Sequence, residues 1–140
     1  MGLVPERAQS QGEELAESYP AVPESVPRAR QAVIDLAMEA GANDEELDAI
    51  RLATSEALTN AVVHAYEGAP GQIHVQAAMG AGRLSVTVAD DGRGLAPRLD
   101  RRGMGLGLAL IADAAEELAI VKRPTGGTAV QMRFAVSLRS

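Results

Sequence analysis

Three glycines at alternate positions, Gly103, Gly105 and Gly107, stand in the stretch GMGLGLALIADAA, and four arginines, Arg93, Arg98, Arg101 and Arg102, precede them. Glycine lets backbone N–H groups approach an anion closely, and the start of a helix adds the positive end of its dipole. The spacing therefore suits a phosphate cradle or, without a ligand, tight backbone packing. Two known cradles are excluded. A P-loop requires Gly-Lys-Ser/Thr, and the chain has no Gly-Lys pair. A dinucleotide fingerprint would need glycine where Leu108 or Leu110 stands, directly after a strand.

Two further glycine motifs accompany the first: Asp90-Asp91-Gly92-Arg93-Gly94 at the end of a strand-like run, and Gly126-Gly127-Thr128 opening another. Glu56 and Asn60, four residues apart in SEALTNAVVHAY, share one side of a helix. His64 and His74 have no second metal-type ligand at suitable spacing and read as structural. There is no cysteine, which removes disulfides and thiolate metal sites and favours the cytoplasm. The first residues lack a secretory pattern, and no window reaches the length of a membrane span. The net charge of −6 is local: residues 1–60 hold 12 acidic and four basic side chains, residues 61–140 seven and nine. With one Phe, two Tyr and no Trp, the chain lacks the stacking groups of a nucleic-acid binder, and neither nucleic acid nor membrane is expected as a partner.

One domain must position these groups. Residues 1–17 read as a polar, flexible tail and 18–140 as the domain. Pro27 suits a first helical turn, and apolar spacing from Ala29 to Ala40, closed by Gly41, predicts a helix. Asn43 and Glu46 form a capping-box pattern ahead of a long helix running to about Tyr66. Leu52 and Val63 make this helix apolar almost all round, which predicts that it is sandwiched, with Glu56 and Asn60 facing a cleft. Alternation predicts strands over 72–78 and 83–90 joined across Gly80-Ala81-Gly82, followed by a loop over 91–104, a helix over 105–118 and strands over 119–123 and 127–136. The order predicts an α+β fold, a two-layer α/β sandwich with helices on one face of a mostly antiparallel mixed sheet.

The ordered set SEALTNAVVHAY, VADDGRGL, GMGLGLALI and GGTAVQMRF resembles the Bergerat-fold (GHKL) ATPases, and within them the RsbW and SpoIIAB type of bacterial anti-sigma factor and serine protein kinase. The resemblance spans about residues 18–136. It implies ATP and Mg²⁺ as cofactors, with Asn60 offering its side-chain oxygen to the metal and Glu56 as the catalytic base. Asp90 matches the adenine-reading carboxylate: an ionised Asp only accepts hydrogen bonds, and the adenine 6-amino group donates. Capping the turn after its strand is the other role open to Asp90. Thr128 matches a position that supports adenine, or is simply a β-prone residue. Gly92 and Gly94 would pass close to the nucleotide, and Gly103, Gly105 and Gly107 would border the phosphates. Arg93, Arg98, Arg101 and Arg102 are the possible phosphate contacts, because Lys122, the one lysine, matches no phosphate-binding place. Implied partners are an anti-sigma factor antagonist (a STAS-domain protein) as substrate, a sigma factor, and a second copy in a homodimer. An ATP-gated binding module without phosphoryl transfer, and a kinase switching a non-sigma partner, remain open on the sequence.

Overall fold

The computed structural model describes residues 14–66, 69–92 and 104–137. The first helix, α1 (Ser25–Ala40), ends as its sequence dictates: Gly41 takes φ 103°, and the N–H groups of Gly41 and Ala42 reach back to the carbonyls of Met38 and Ala37, 3.0 Å each. The second, α2 (Asp44–His64), begins with the expected capping box. Asn43 Oδ1 accepts from the Glu46 N–H at 2.8 Å, and Glu46 Oε1 accepts from the Asn43 N–H at 2.9 Å.

Five strands follow the order β1-β2-β3-β5-β4: β1 (Glu14–Pro20), β2 (Gln72–Gly80), β3 (Arg83–Asp90), β4 (Glu117–Lys122) and β5 (Thr128–Ala135). A short helix, α3 (Met104–Ala114), connects β3 to β4. Alternation sorts the strands' side chains. Ile73 and Val75, Leu84 and Val86, and Val130 and Met132 are buried with Val33 and Ile34 of α1, Ile50 and Leu58 of α2 and Ile111 of α3 in one core. Gln76, Ser85, Gln131 and Arg133 alternate with them on the opposite, exposed face.

The α+β two-layer architecture agrees with the sequence, with four differences of detail. The strand β1 begins at Glu14, inside the segment 1–17 read as a tail. It is an edge strand with one neighbour, so only Tyr19 is fully buried and the remainder is polar enough to pass for a tail. All four pairings are antiparallel, not mixed, because β5 fills the position that the crossover through α3 skips. The third helix stops at Ala114 and β4 starts at Glu117, earlier than expected, because Leu118 and Ile120 pair with Met132 and Val130 and pack against the core. Finally, Leu52 and Val63 are 42% and 54% exposed. That side of α2 faces outward, and the helix is not sandwiched there.

The C-terminal end of the described chain is tied to the start of α2. The Glu46 carboxylate accepts from the Ser137 N–H, 2.9 Å to Oε2, and from the Ser137 hydroxyl at 2.8 Å. The Asn43 N–H, against the opposing effect of burial and with help from the Ser137 donors, holds the Glu46 carboxyl below its ordinary 4.5. A depressed pKa gives stability that is present above the ordinary value and lost as pH falls through the lowered one. Glu46→Ala is therefore expected to cost about 1–2 kcal/mol in urea denaturation at pH 7, and the deficit should shrink below about pH 4.5.

Candidate functional site

Asp90 ends β3 with its carboxylate 6% exposed beneath α2. Oδ1 accepts from the Gly92 N–H at 2.9 Å, and the Thr128 N–H, at the start of β5, donates to the same carboxylate. Burial pushes the Asp90 carboxyl up from its ordinary value. The Gly92 and Thr128 bonds pull the other way, while the charge of Asp91 adds to the rise and Arg123 reduces it. The carboxylate borders a slot between helix and sheet, with Ala57, Asn60, Ala61 and Ala65 on one side and Val88 and Val130 on the other. Walls of alanine and valine around a buried carboxylate have the chemistry to hold a flat, mostly apolar ring that carries a donor, and helix and sheet must part for such a ring to enter this narrow slot.

Two glycines allow the backbone to close around Asp90. A Cβ on Gly92 would overlap the Ala65 carbonyl, and one on Gly127, which holds φ 90°, would overlap the Asp90 carbonyl. Thr128 is buried beside them, 3% exposed. His64 lines the slot at the end of α2.

The second half of the site lies where α2 meets α3. One turn apart on α2, half-buried Glu56 and buried Asn60 converge on Gly107: a Cβ there would stand 3.0 Å from Glu56 Oε1, 3.4 Å from Asn60 Nδ2 and 3.6 Å from Asn60 Oδ1. The Asn60 Nδ2 atom is buried and has no hydrogen-bond partner among the described residues. A buried orphan donor requires an acceptor. Phosphate oxygens would supply one, and Oδ1 of the same amide is the type of atom that could serve a hard cation. The residues present thus fit a nucleotide phosphate with Mg²⁺. Among the described residues no three His, Asp or Glu side chains group into a metal site, so a metal held here would complete its shell with phosphates and water.

Gly107 separates binding from folding. Alanine is favoured over glycine in a helix by about 1 kcal/mol, yet its Cβ would crowd Glu56 and Asn60. Gly107→Ala is expected to keep or raise the thermal midpoint while lowering ATP affinity about tenfold, read by calorimetry and a melting curve on one preparation.

The structure thus brings Glu56, Asn60 and Gly107 together and gathers Asp90, Gly92 and Thr128 at the neighbouring slot. Gly105 lies within the first turn of α3, which begins at Met104. Gly94, Gly103, Arg93, Arg98, Arg101 and Arg102 lie outside the described residues. Sequence reasoning missed Arg123 and Tyr66, which hold the chain beside Asp90. Arg123 sits in no motif, and although Tyr66 closes the stretch SEALTNAVVHAY, no local signal singles either of them out.

Comparison with known proteins agrees with this fold. The sequence profile of the histidine kinase-like ATPase domain matches residues 19–134. The chain belongs to that family, in its RsbW/SpoIIAB-type branch. Relatives of this ATPase domain include the anti-sigma F factor of Thermoanaerobacter sp. (strain X514), 30% identical over 115 residues that cover 74% of this chain and 80% of the relative. Another is the anti-sigma F factor of Oceanobacillus iheyensis, 26% identical over 133 residues, 85% of this chain and 90% of that one. Among solved structures, the RsbU and RsbW domains of Rv1364c from Mycobacterium tuberculosis superpose with a TM-score of 0.71 at 25% identity. That match covers 91% of this histidine kinase-like ATPase chain and 33% of the solved one, so this chain spans about a third of the larger protein. No helix among the described residues is long and apolar enough to cross a membrane.

Proposed function

We propose that the protein is a Mg-ATP-dependent serine/threonine protein kinase that acts as an anti-sigma regulatory factor, phosphorylating a small antagonist protein and sequestering a sigma factor. The observation that carries this reading is the convergence of Glu56 and the orphaned Asn60 amide on Gly107, beside a slot that ends in a buried Asp90. Relatives named as anti-sigma F factors support the regulatory role. Bound Mg-ATP supplies the transferable phosphoryl group. For its part, the chain reads the adenine donor with Asp90, holds metal and phosphate with Asn60, and takes the proton of an attacking protein hydroxyl on Glu56. Backbone N–H groups along Gly103, Gly105 and Gly107 would border the phosphates, and an arginine among Arg93, Arg98, Arg101 and Arg102 would offer charge to the terminal one. Thr128 supports the base, and Gly94 is assigned beside Gly92 by the motif alone. The protein works in the cytoplasm as a homodimer.

The test is capture of partners by the tagged protein from a lysate of the source cell, with and without Mg-ATP, followed by mass spectrometry. A small protein newly phosphorylated on Ser or Thr, together with a captured sigma factor, is the expected result. Nucleotide-dependent capture with no phosphate transferred would replace the kinase with an ATP-gated binding module.

A further inference from the structure

Behind Asp90, on the side away from the slot, lies a second connected set of polar groups. The guanidinium of Arg123, just after β4, donates from one nitrogen to the Asp90 carbonyl at 2.8 Å and to Asp91 Oδ1 at 2.6 Å. The other Asp91 oxygen meets His74 Nε2 at 2.7 Å, and His74 Nδ1 meets the Ser18 hydroxyl, also at 2.7 Å. The Asp91 N–H donates to the Tyr66 hydroxyl at 2.8 Å, which in turn donates to the Gln72 carbonyl at 2.5 Å.

Two of these bonds fall on one peptide unit. Regular pairing of β3 with β5 stops at Ala89, opposite Ala129. Beyond that point the Asp90 carbonyl and the Asp91 N–H, the two polar ends of the next peptide, are held by the side chains of Arg123 and Tyr66. Holding that peptide constrains the backbone from which the Asp90 side chain extends, one peptide before the Gly92 N–H that bonds it. We propose that Arg123, with Asp91, His74 and Tyr66, is a positioning network that fixes the base-reading carboxylate and so sets both nucleotide affinity and preference for adenine. The proposal rests on the nucleotide reading given above, in which Asp90 contacts the base.

The network is poorly placed to serve stability alone. The Arg123 side chain is 29% exposed and that of Asp91 47%, and pairs this open to water contribute little to folding. Their geometric effect is larger: a buried acceptor that misses its donor loses the bond and keeps the cost of desolvation. His74 and Arg123 hold the Asp91 carboxyl below the usual range, so it stays ionised as their shared acceptor.

The experiment measures ATP and GTP affinity by calorimetry, with melting curves, for the wild type and for Arg123→Met, Arg123→Lys, Asp91→Asn and Asp90→Asn. Arg123→Met is expected to weaken ATP about tenfold, equal to ~1.4 kcal/mol, and to narrow the preference for ATP over GTP with little change in melting temperature. Asp91→Asn should move both in the same direction, and Arg123→Lys should recover part of the loss, since an ammonium retains a charged donor. Unchanged affinity and preference in Arg123→Met, with binding lost in Asp90→Asn, overturns the network and leaves the nucleotide site standing. Loss of binding in step with loss of melting temperature, unrescued by lysine, overturns it in favour of a structural role. A wild type that binds neither nucleotide overturns the nucleotide reading and this proposal together.

Discussion

Asp90→Asn is expected to lower ATP affinity by about 1–3 kcal/mol, roughly ten- to a hundredfold, and to leave GTP binding nearly untouched. The substitution keeps size and shape but exchanges one acceptor oxygen for a donor. In the native site the backbone N–H groups of Gly92 and Thr128 already point at the carboxylate, and the proposed adenine amino group adds another donor. An Asn amide must turn its own N–H₂ toward one of these donors, so either the loop or the ligand loses its partner. Calorimetry that gives the mutant wild-type ATP affinity would defeat the adenine assignment. The free protein carries a second, independent signature. Burial raises the Asp90 carboxyl above its ordinary 3.8, so the folded chain keeps this proton to higher pH than the unfolded one. Between the two values the native state binds more protons, and stability falls as pH rises. Asp90→Asn should remove that part of the pH dependence, measured by urea denaturation from acid to neutral pH.

How much of this was legible in the sequence follows from whether each signal is local. The capping box at Asn43 and Glu46 and the glycine stop at Gly41 involve residues within a turn of one another, and the structure contains both. Glu56 and Asn60 share a helix side by spacing alone. That α3 would meet them at Gly107 was implied only by the order of motifs, not by any single one. The outward side of α2 departs from the sequence expectation because an apolar residue on a helix need not be buried. Leu52 and Val63 are exposed, and burial of this helix is carried mainly by its alanines, Ala53, Ala57 and Ala61, with Ile50 and Leu58. The strand β1 escaped because hydrogen bonds to β2 hold it while its side chains stay mostly polar. Arg123 and Asp91 lie 32 residues apart, and His74 and Asp91 lie 17 apart. Their contact depends on the strand order, which no periodicity encodes.

Glu56→Gln is expected to bind ATP with an affinity within about twofold of the wild type and to transfer phosphate about 10²–10⁴ times more slowly, the usual contribution of a positioned general base. The amide matches the carboxylate in volume, so the contact across α2 and α3 at Gly107 remains, and Asp90 and Asn60 are unchanged. What disappears is the capacity to take a proton from a Ser or Thr hydroxyl as its oxygen attacks. The two readouts divide the two functional readings. A kinase loses transfer and keeps binding, whereas an ATP-gated module, which moves no phosphate, shows no step for the substitution to slow. Transfer at the wild-type rate in Glu56→Gln would remove Glu56 as the base while leaving the nucleotide slot intact. Glu56 is only partly buried, as a base acting on a hydroxyl of another protein must be. Its neighbour Asn60 is buried, as a group that serves only the small ligand can be.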